Sequence, residues 1–105
     1  MIKLITPESA VRIIDDVTGQ PSLEQLRDWI SCEYVEVPGG VGFQVGQELQ
    51  QFVMDENGKL LGKPINWVAT ALYDHALSMD PRGFEPRGDV LVGNIVILTG
   101  EHLLT

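Results

Sequence analysis

The most apolar stretch of the chain covers residues 89–99 and reads Asp89-Val90-Leu91-Val92-Gly93-Asn94-Ile95-Val96-Ile97-Leu98-Thr99. A run this rich in β-branched residues is typical of a central or long strand. The pair Gly93-Asn94 predicts an interruption within it. The rest of the chain must therefore supply neighbouring strands, and helices to cover them.

The N-terminal segment predicts a pair of strands. Ile2–Ile5 and Val11–Ile14 are short apolar or alternating runs, and Pro7 lies between them, which suits a hairpin. A helix over Glu8–Asp16 competes with this prediction, because Pro7 would fit at its first turn.

The next segment predicts a helix that begins after Ser22. Ser22 and Gln25 have the spacing of a capping box, in which each side chain bonds to the backbone of the other residue. Apolar residues then recur at helical spacing and predict one buried stripe, formed by Leu23, Leu26, Trp29 and Ile30.

The middle of the chain predicts further strands. Glu33–Val37 alternates charged and apolar residues, and the glycine-rich residues 39–46 predict a flexible connection. Leu49–Met54 predicts a strand that turns at Glu56-Asn57-Gly58 and returns over Lys59–Leu61 as a hairpin.

Asn66 is a favoured helix cap and predicts a second helix over Trp67–Ser78. Its buried face is predicted to consist of Val68, Ala71, Leu72, His75 and Ala76. Residues 79–88 contain Pro81-Arg82-Gly83 and Pro86-Arg87-Gly88 and predict a loop. Together these elements predict one compact domain, residues 1–105, of the α+β class: a mostly antiparallel sheet of about five or six strands with two helices packed on it.

Composition narrows the classes of partner. The chain has 105 residues, of which 44% are hydrophobic, which suits one globular domain. Its net charge of −8 argues against nucleic acid or anionic lipid as a direct partner, because both would repel it. No apolar run approaches the roughly 18 residues of a membrane helix. The single cysteine, Cys32, makes a reducing cytoplasm the expected location.

A series of short motifs follows one order along the chain: Glu33-Tyr34-Val35-Glu36-Val37 after a helix ending in Trp-Ile, residues 55–60 (Asp-Glu-Asn-Gly-Lys-Leu), Pro64-Ile65-Asn66, Ala69-Thr70 and residues 88–94. In this order they resemble a family of uncharacterised domains from bacteriophages, plasmids and algal viruses, over nearly the whole chain. The resemblance implies an origin in a mobile genetic element and brings no established activity with it. The loop at residues 82–87 is longer than the family's usual link to the last strand.

No arrangement of side chains predicts catalysis, so we expect a protein that is not an enzyme and uses no cofactor. Asp74 and His75 are adjacent, and adjacent helical positions do not face each other. His75 is expected to be a hydrogen-bonded core or interface residue, and Cys32 a small core residue. Two distant histidines and one cysteine lack the spacing of metal ligands.

One hypothesis for a binding site is a pocket for a nucleotide or small anion. Asn66, Trp67 and Thr70 would form a polar corner at a helix start, where backbone amides favour anions. Arg82 and Arg87 would close over the ligand with their guanidinium groups. The competing interpretation is that Asn66 is only a cap, Trp67 is core and the arginines are solvated.

A second hypothesis rests on the acidic first half. Residues 1–56 carry three basic and ten acidic side chains, a net charge of −7. Glu24, Asp28, Glu33 and Glu36 are the candidate contacts of a cationic protein surface. Carboxylates at such spacings can imitate DNA phosphates and occupy a nucleic-acid-binding protein.

The sequence thus predicts a small acidic accessory protein of the phage or plasmid type. It would bind and modulate a host protein in the cytoplasm, as an anti-defence factor or a DNA mimic. The nucleotide or small-anion pocket is the first alternative. A homo-oligomeric structural protein is the second, because five large aromatic side chains are many for a small core.

Overall fold

The computed structural model of the protein describes residues 1–40, 42–85 and 88–105 and shows a six-stranded antiparallel sheet with two helices. The strands are β1 (Ile2–Ile5), β2 (Val11–Ile14), β3 (Val35–Glu36), β4 (Phe43–Val45), β5 (Glu48–Asp55) and β6 (Ile95–Leu98). The helices are α1 (Leu23–Ile30) and α2 (Trp67–Met79), and a 3-10 turn follows at Gly100–His102. The predicted α+β class is confirmed.

The sheet has the order β2-β1-β6-β5-β3, and β4 pairs with β5 beside β3. β6 is therefore a central strand, as its apolar sequence predicted. Its side chains alternate between the faces: Ile95 and Ile97 pack in the core under α2, and Val96 and Leu98 in the core under α1. The strand is shorter than residues 89–99, because Gly93 adopts a φ of +72°. Before it, Val92 forms only an isolated bridge with Ile65.

The N-terminal hairpin and the start of α1 follow the prediction. β1 and β2 pair antiparallel, so the competing helix over residues 8–16 does not form. The Ser22 Oγ accepts a hydrogen bond from the Gln25 N–H at 3.0 Å, and Gln25 Oε1 accepts one from the Ser22 N–H at 2.9 Å. The predicted stripe is right for Leu26 and Ile30, which are buried, whereas Leu23 is exposed and Trp29 partly buried.

The predicted hairpin between residues 49–54 and 59–61 is wrong. β5 already has β6 on one side and β3 and β4 on the other, so a returning strand has no edge to join. Residues 56–62 instead form consecutive turns. The hairpin of β5 lies at its other end, where Gly46 and Gln47 connect Val45 to Glu48 and Gly46 takes a φ of +62°. The glycine-rich stretch predicted to be a flexible connection therefore contains β4.

Two further predictions need correction. The alternating stretch Glu33–Val37 contributes only Val35–Glu36 as a strand. α2 forms as predicted, but its buried residues are Ala69, Thr70, Ala76 and Leu77, with Val68 and Tyr73 partly buried against the same core. His75, predicted to be a core or interface residue, lies on the exposed side of α2.

Candidate functional site

Asn66, the first residue of the predicted pocket, is fully buried, and its side chain is bonded to the protein's own backbone. Its Nδ2 donates to the carbonyl oxygens of Ile5 and Gly93, both at 2.9 Å. Its Oδ1 accepts the Ala69 N–H at 3.1 Å, which caps α2. Asn66 thus joins β1, the segment before β6 and the start of α2.

The hydroxyl group of Thr70 is likewise hydrogen-bonded to the protein's own backbone. Its Oγ1 donates to the Asn66 carbonyl at 2.8 Å and accepts the Leu91 N–H at 2.9 Å. Trp67, in contrast, is 64% exposed and is not part of the core. The helix start is therefore a structural junction, and the amide and hydroxyl groups assigned to a ligand satisfy backbone groups instead.

Arg82 lies at the opposite end of α2 from Asn66, and a helix of this length separates the two by about 20 Å. Its guanidinium group donates to Asp80 and, through Nη2, to the Gly42 carbonyl at 2.6 Å. It also stacks on the Phe84 ring at 4.7 Å from the centroid. Arg87 lies outside the described residues. The described members of the predicted nucleotide pocket thus do not converge.

The Asp80 carboxylate holds this end of α2 to β4. It accepts hydrogen bonds from the Gln44 N–H at 2.8 Å, from the Arg82 N–H at 2.8 Å and from the Arg82 side chain. The Arg82 hydrogen bonds, followed by that of the Gln44 backbone, hold the pKa of Asp80 well below its usual range, although burial acts in the opposite direction. Asp80 is thus ionised in the folded protein even in acid.

This lowered pKa predicts an acid-dependent loss of stability. The folded-state pKa lies below the unfolded value, so the stabilisation is present above about pH 4 and is lost as the pH falls toward the folded pKa. We expect Asp80→Asn to melt at a lower temperature than the wild type at about pH 7. The difference should shrink between about pH 4 and pH 2. Melting curves over this range measure it, with Asp28→Asn as the control on an exposed carboxylate. A difference that stays constant with pH would contradict the prediction.

A cleft of about 540 Å³ lies beside this cluster, between α2 and the loop that follows it. Its described lining combines aromatic, aliphatic and acidic side chains: Phe43, Tyr73, Leu77, Phe84, Glu85 and Asp89, with Gly39 and Gly83. The rings of Phe43 and Tyr73 meet edge to face at 5.4 Å. Asp89 forms an ion pair with Lys59.

The four acidic residues predicted to contact a partner are all exposed, but they do not share one face. Glu24 and Asp28 lie on α1. Glu36 lies opposite Met54 in the β3–β5 register, and Met54 packs on the α2 side of the sheet. Glu33 lies in the link between α1 and β3. The acidic surface is therefore divided between the two sides of the molecule.

A set of exposed apolar residues, which the sequence reasoning missed, lies at one end of the sheet. Here β1 and β5 end, β2 and β6 begin, and α2 starts. We call this surface the apolar end; its residues are Tyr34 (54% exposed), Leu60 (88%), Leu61 (68%), Ile65 (37%) and Trp67 (64%). The strand predicted over Lys59–Leu61 concealed this surface, because alternation along a half-buried strand would have buried one of the two adjacent leucines.

The backbone holds the apolar end in place. The Glu56 N–H donates to the Tyr34 carbonyl at 3.0 Å, which fixes the turns after β5 to the start of β3. Lys63 Nζ lies 2.7 Å from Asp55 Oδ2 and donates to the Ser31 carbonyl at 2.8 Å, which anchors the segment to β5 and to the end of α1. The exposed side chains are therefore presented by an ordered framework.

Cys32 and His102 are packed or hydrogen-bonded within the fold. Burial, followed by the charge of Asp55, raises the pKa of the Cys32 thiol, and the side chain packs at the border of the core under α1. The buried ring of His102 bonds to the Gly19 carbonyl through Nδ1 at 2.7 Å. Among the described residues, no three His, Cys, Asp or Glu side chains are grouped to hold a metal ion.

Among the helices of residues 1–40, 42–85 and 88–105, none has the length and apolar character of a membrane span. Comparison of the chain with protein-family models, with curated proteins and with solved structures gives no match.

Proposed function

We propose that the protein is an accessory domain that binds another protein through the apolar end. The observation that carries the proposal is the exposure of Leu60, Leu61 and Trp67 in the turns after β5 and at the start of α2, at the same end of the sheet. Contiguous exposed apolar side chains on a folded domain are characteristic of protein interaction sites. Tryptophan and tyrosine are also the residues most enriched among those that dominate binding energy.

The charge around this surface indicates the kind of partner. Glu33 and Glu56 are exposed beside Tyr34. The two lysines of the segment, Lys59 and Lys63, are paired with Asp89 and Asp55. The surface therefore combines an apolar centre with the exposed negative charges of Glu33 and Glu56, which complements a basic protein surface with an apolar centre. The resemblance to phage and plasmid domains makes a protein of the host cell the expected class of partner.

The arrangement favours protein binding over DNA mimicry. A mimic of DNA needs carboxylates spaced along one face, whereas Glu24 and Asp28 lie on α1 and Glu36 on the other side of the sheet. A partner that reads phosphate-like charge alone would also gain nothing from the exposed leucines. An anti-defence role would be one consequence of binding a host protein.

The test is affinity capture from a bacterial lysate, comparing the wild type with a variant that introduces negative charge into the apolar end. We expect the wild type to retain a basic protein that is released only partly at high salt, because apolar burial persists when charges are screened. The double variant Leu60→Asp, Leu61→Asp should retain at least about tenfold less of it, since two carboxylates would be buried without partners.

Leu23→Asp is the matched control, because Leu23 is also an exposed leucine but lies at the start of α1. This control should capture the partner as the wild type does. Circular dichroism establishes that all variants are folded. Equal recovery by the wild type and by the double variant would contradict the proposal, as would capture that depends on salt alone.

A further inference from the structure

The edge strand β2 exposes backbone groups that point away from the sheet. Among the described residues it pairs only with β1. The Thr6 N–H donates to the Ala10 carbonyl at 2.9 Å, so Ala10 turns its backbone groups toward β1. Along β2, the backbone groups then point toward β1 and away from it at alternate residues. Residues 12 and 14 therefore turn their backbone groups toward β1, and Val11 and Ile13 turn theirs outward.

The side chains of the same two residues form an exposed apolar strip. Val11 lies opposite Ile5 and Ile13 opposite Lys3, which places both on the α2 side of the sheet. α2 does not cover them, and they are 53% and 48% exposed. Natural sheets protect an edge with prolines, bulges, charged side chains or very short strands. β2 has four residues and carries the charge of Arg12, but its register contains no proline and no bulge.

The charges at this edge suit a second copy of the chain. Arg12 lies within the strand, and Asp15 and Asp16 follow it, so the edge carries both signs. Glu33, Glu36 and Glu48 lie around β3 and β5, at the other side of the sheet. Much of the repulsion between two chains of net charge −8 therefore comes from side chains distant from the edge. Salt screens this repulsion, because the Debye length is about 8 Å.

We propose that β2 is a self-association surface, through which two copies pair antiparallel into one continuous sheet. Placing Ile13 opposite Ile13 of the second copy joins two residues whose backbone groups both point outward. On the α2 face this register places the two Ile13 side chains side by side, and each Val11 lies diagonal to Ile13 and opposite Asp15 of the second copy. On the opposite face it places Arg12 opposite Ile14 of the second copy, with Asp16 and Arg12 of that copy at its two diagonal positions, twice by symmetry.

The proposal concerns a surface other than the apolar end, and it stands independently of the proposed function. An interface of one short strand is small, so we expect weak, concentration-dependent association rather than an obligate dimer. Backbone pairing and the Val11/Ile13 strip would supply the affinity, and the Arg12 and Asp16 pairs would set the register.

Sedimentation velocity over a concentration series at about 0.15 M salt tests the proposal. The wild type should show a monomer–dimer equilibrium. Ile13→Lys should weaken association at least about tenfold, because it places like charges opposite each other at the symmetry axis. Arg12→Asp should weaken it as well, and the charge swap Arg12→Asp with Asp16→Arg should restore it.

Two controls locate the contact. Arg27→Asp removes the same kind of charge from the exposed face of α1 and should leave association unchanged. The double variant Leu60→Asp, Leu61→Asp should also dimerise normally, because the apolar end takes no part. A wild type that stays monomeric at the highest concentration would overturn the proposal. So would an Ile13→Lys variant that dimerises as the wild type does, or a charge swap that restores nothing.

Discussion

Asn66→Ala is expected to destabilise the protein by about 4 kcal/mol, the largest effect of any single change considered. The substitution removes three hydrogen bonds at once and leaves the Ile5 and Gly93 carbonyls and the Ala69 N–H without their side-chain partner. Each buried polar group that loses its partner costs about 1–3 kcal/mol. The cost is spread over β1, the segment before β6 and α2, so it should weaken the whole domain.

Urea denaturation measures the loss of stability, and in a thermal melt the midpoint should fall by roughly 15–30 °C. Asn94→Ala is the matched control. Asn94 is only partly buried, and its Nδ2 makes one bond, to the Trp29 carbonyl at 3.0 Å. This change should cost about 1 kcal/mol. If the two variants lose equal stability, Asn66 is not the junction described above.

Lys63→Met is expected to destabilise the protein by about 3 kcal/mol. The side chain of Asp55 is 2% exposed, and removal of the ammonium group would leave its carboxylate buried without a counter-charge. Breaking a buried ion pair from one side costs about 3–5 kcal/mol. Lys63 is itself 20% exposed, so water reaches the site and the lower end of that range applies. The Ser31 carbonyl loses a donor in addition.

A second variant separates the charge from the packing of the side chain. Asp55→Asn in combination with Lys63→Met should recover part of the stability, because no charge then remains buried. Lys59→Met is the matched control. The side chains of Lys59 and Asp89 are each more than half exposed, so loss of their ion pair should lower the free energy of unfolding by less than about 0.5 kcal/mol. A double variant less stable than Lys63→Met alone would contradict the electrostatic explanation.

Local signals in the sequence identified the elements whose cause is local. The capping box of Ser22 and Gln25 and the cap at Asn66 each depend on residues within one helical turn, and both helices begin where predicted. The apolar run before Thr99 likewise identified β6 as central. The two caps can be read from sequence because neighbouring residues supply both partners of the capping hydrogen bonds.

The errors share one physical origin, which is competition for partners distant in the chain. Residues 59–61 have strand character, but β3 and β4 occupy that side of β5. The spacing of apolar residues in α2 is compatible with several faces, and the sheet selects the one containing Ala69, Ala76 and Leu77. For the candidate site, the helix cap at Asn66 was correct. The predicted meeting of Asn66 with Arg82 was wrong, because the whole length of α2 lies between them.

The central position of β6 has a consequence for how the domain is made. β6 is the last of the described strands, yet it joins the N-terminal hairpin to β5. During translation the hairpin and the β4–β5 pair can each form early, but neither can bury its apolar faces against the other until residues 95–98 have left the ribosome. A nascent chain stalled before that point would expose both halves of the core to chaperones and proteases. Synthesis of one four-residue strand thus decides when the two halves become a single cooperative unit.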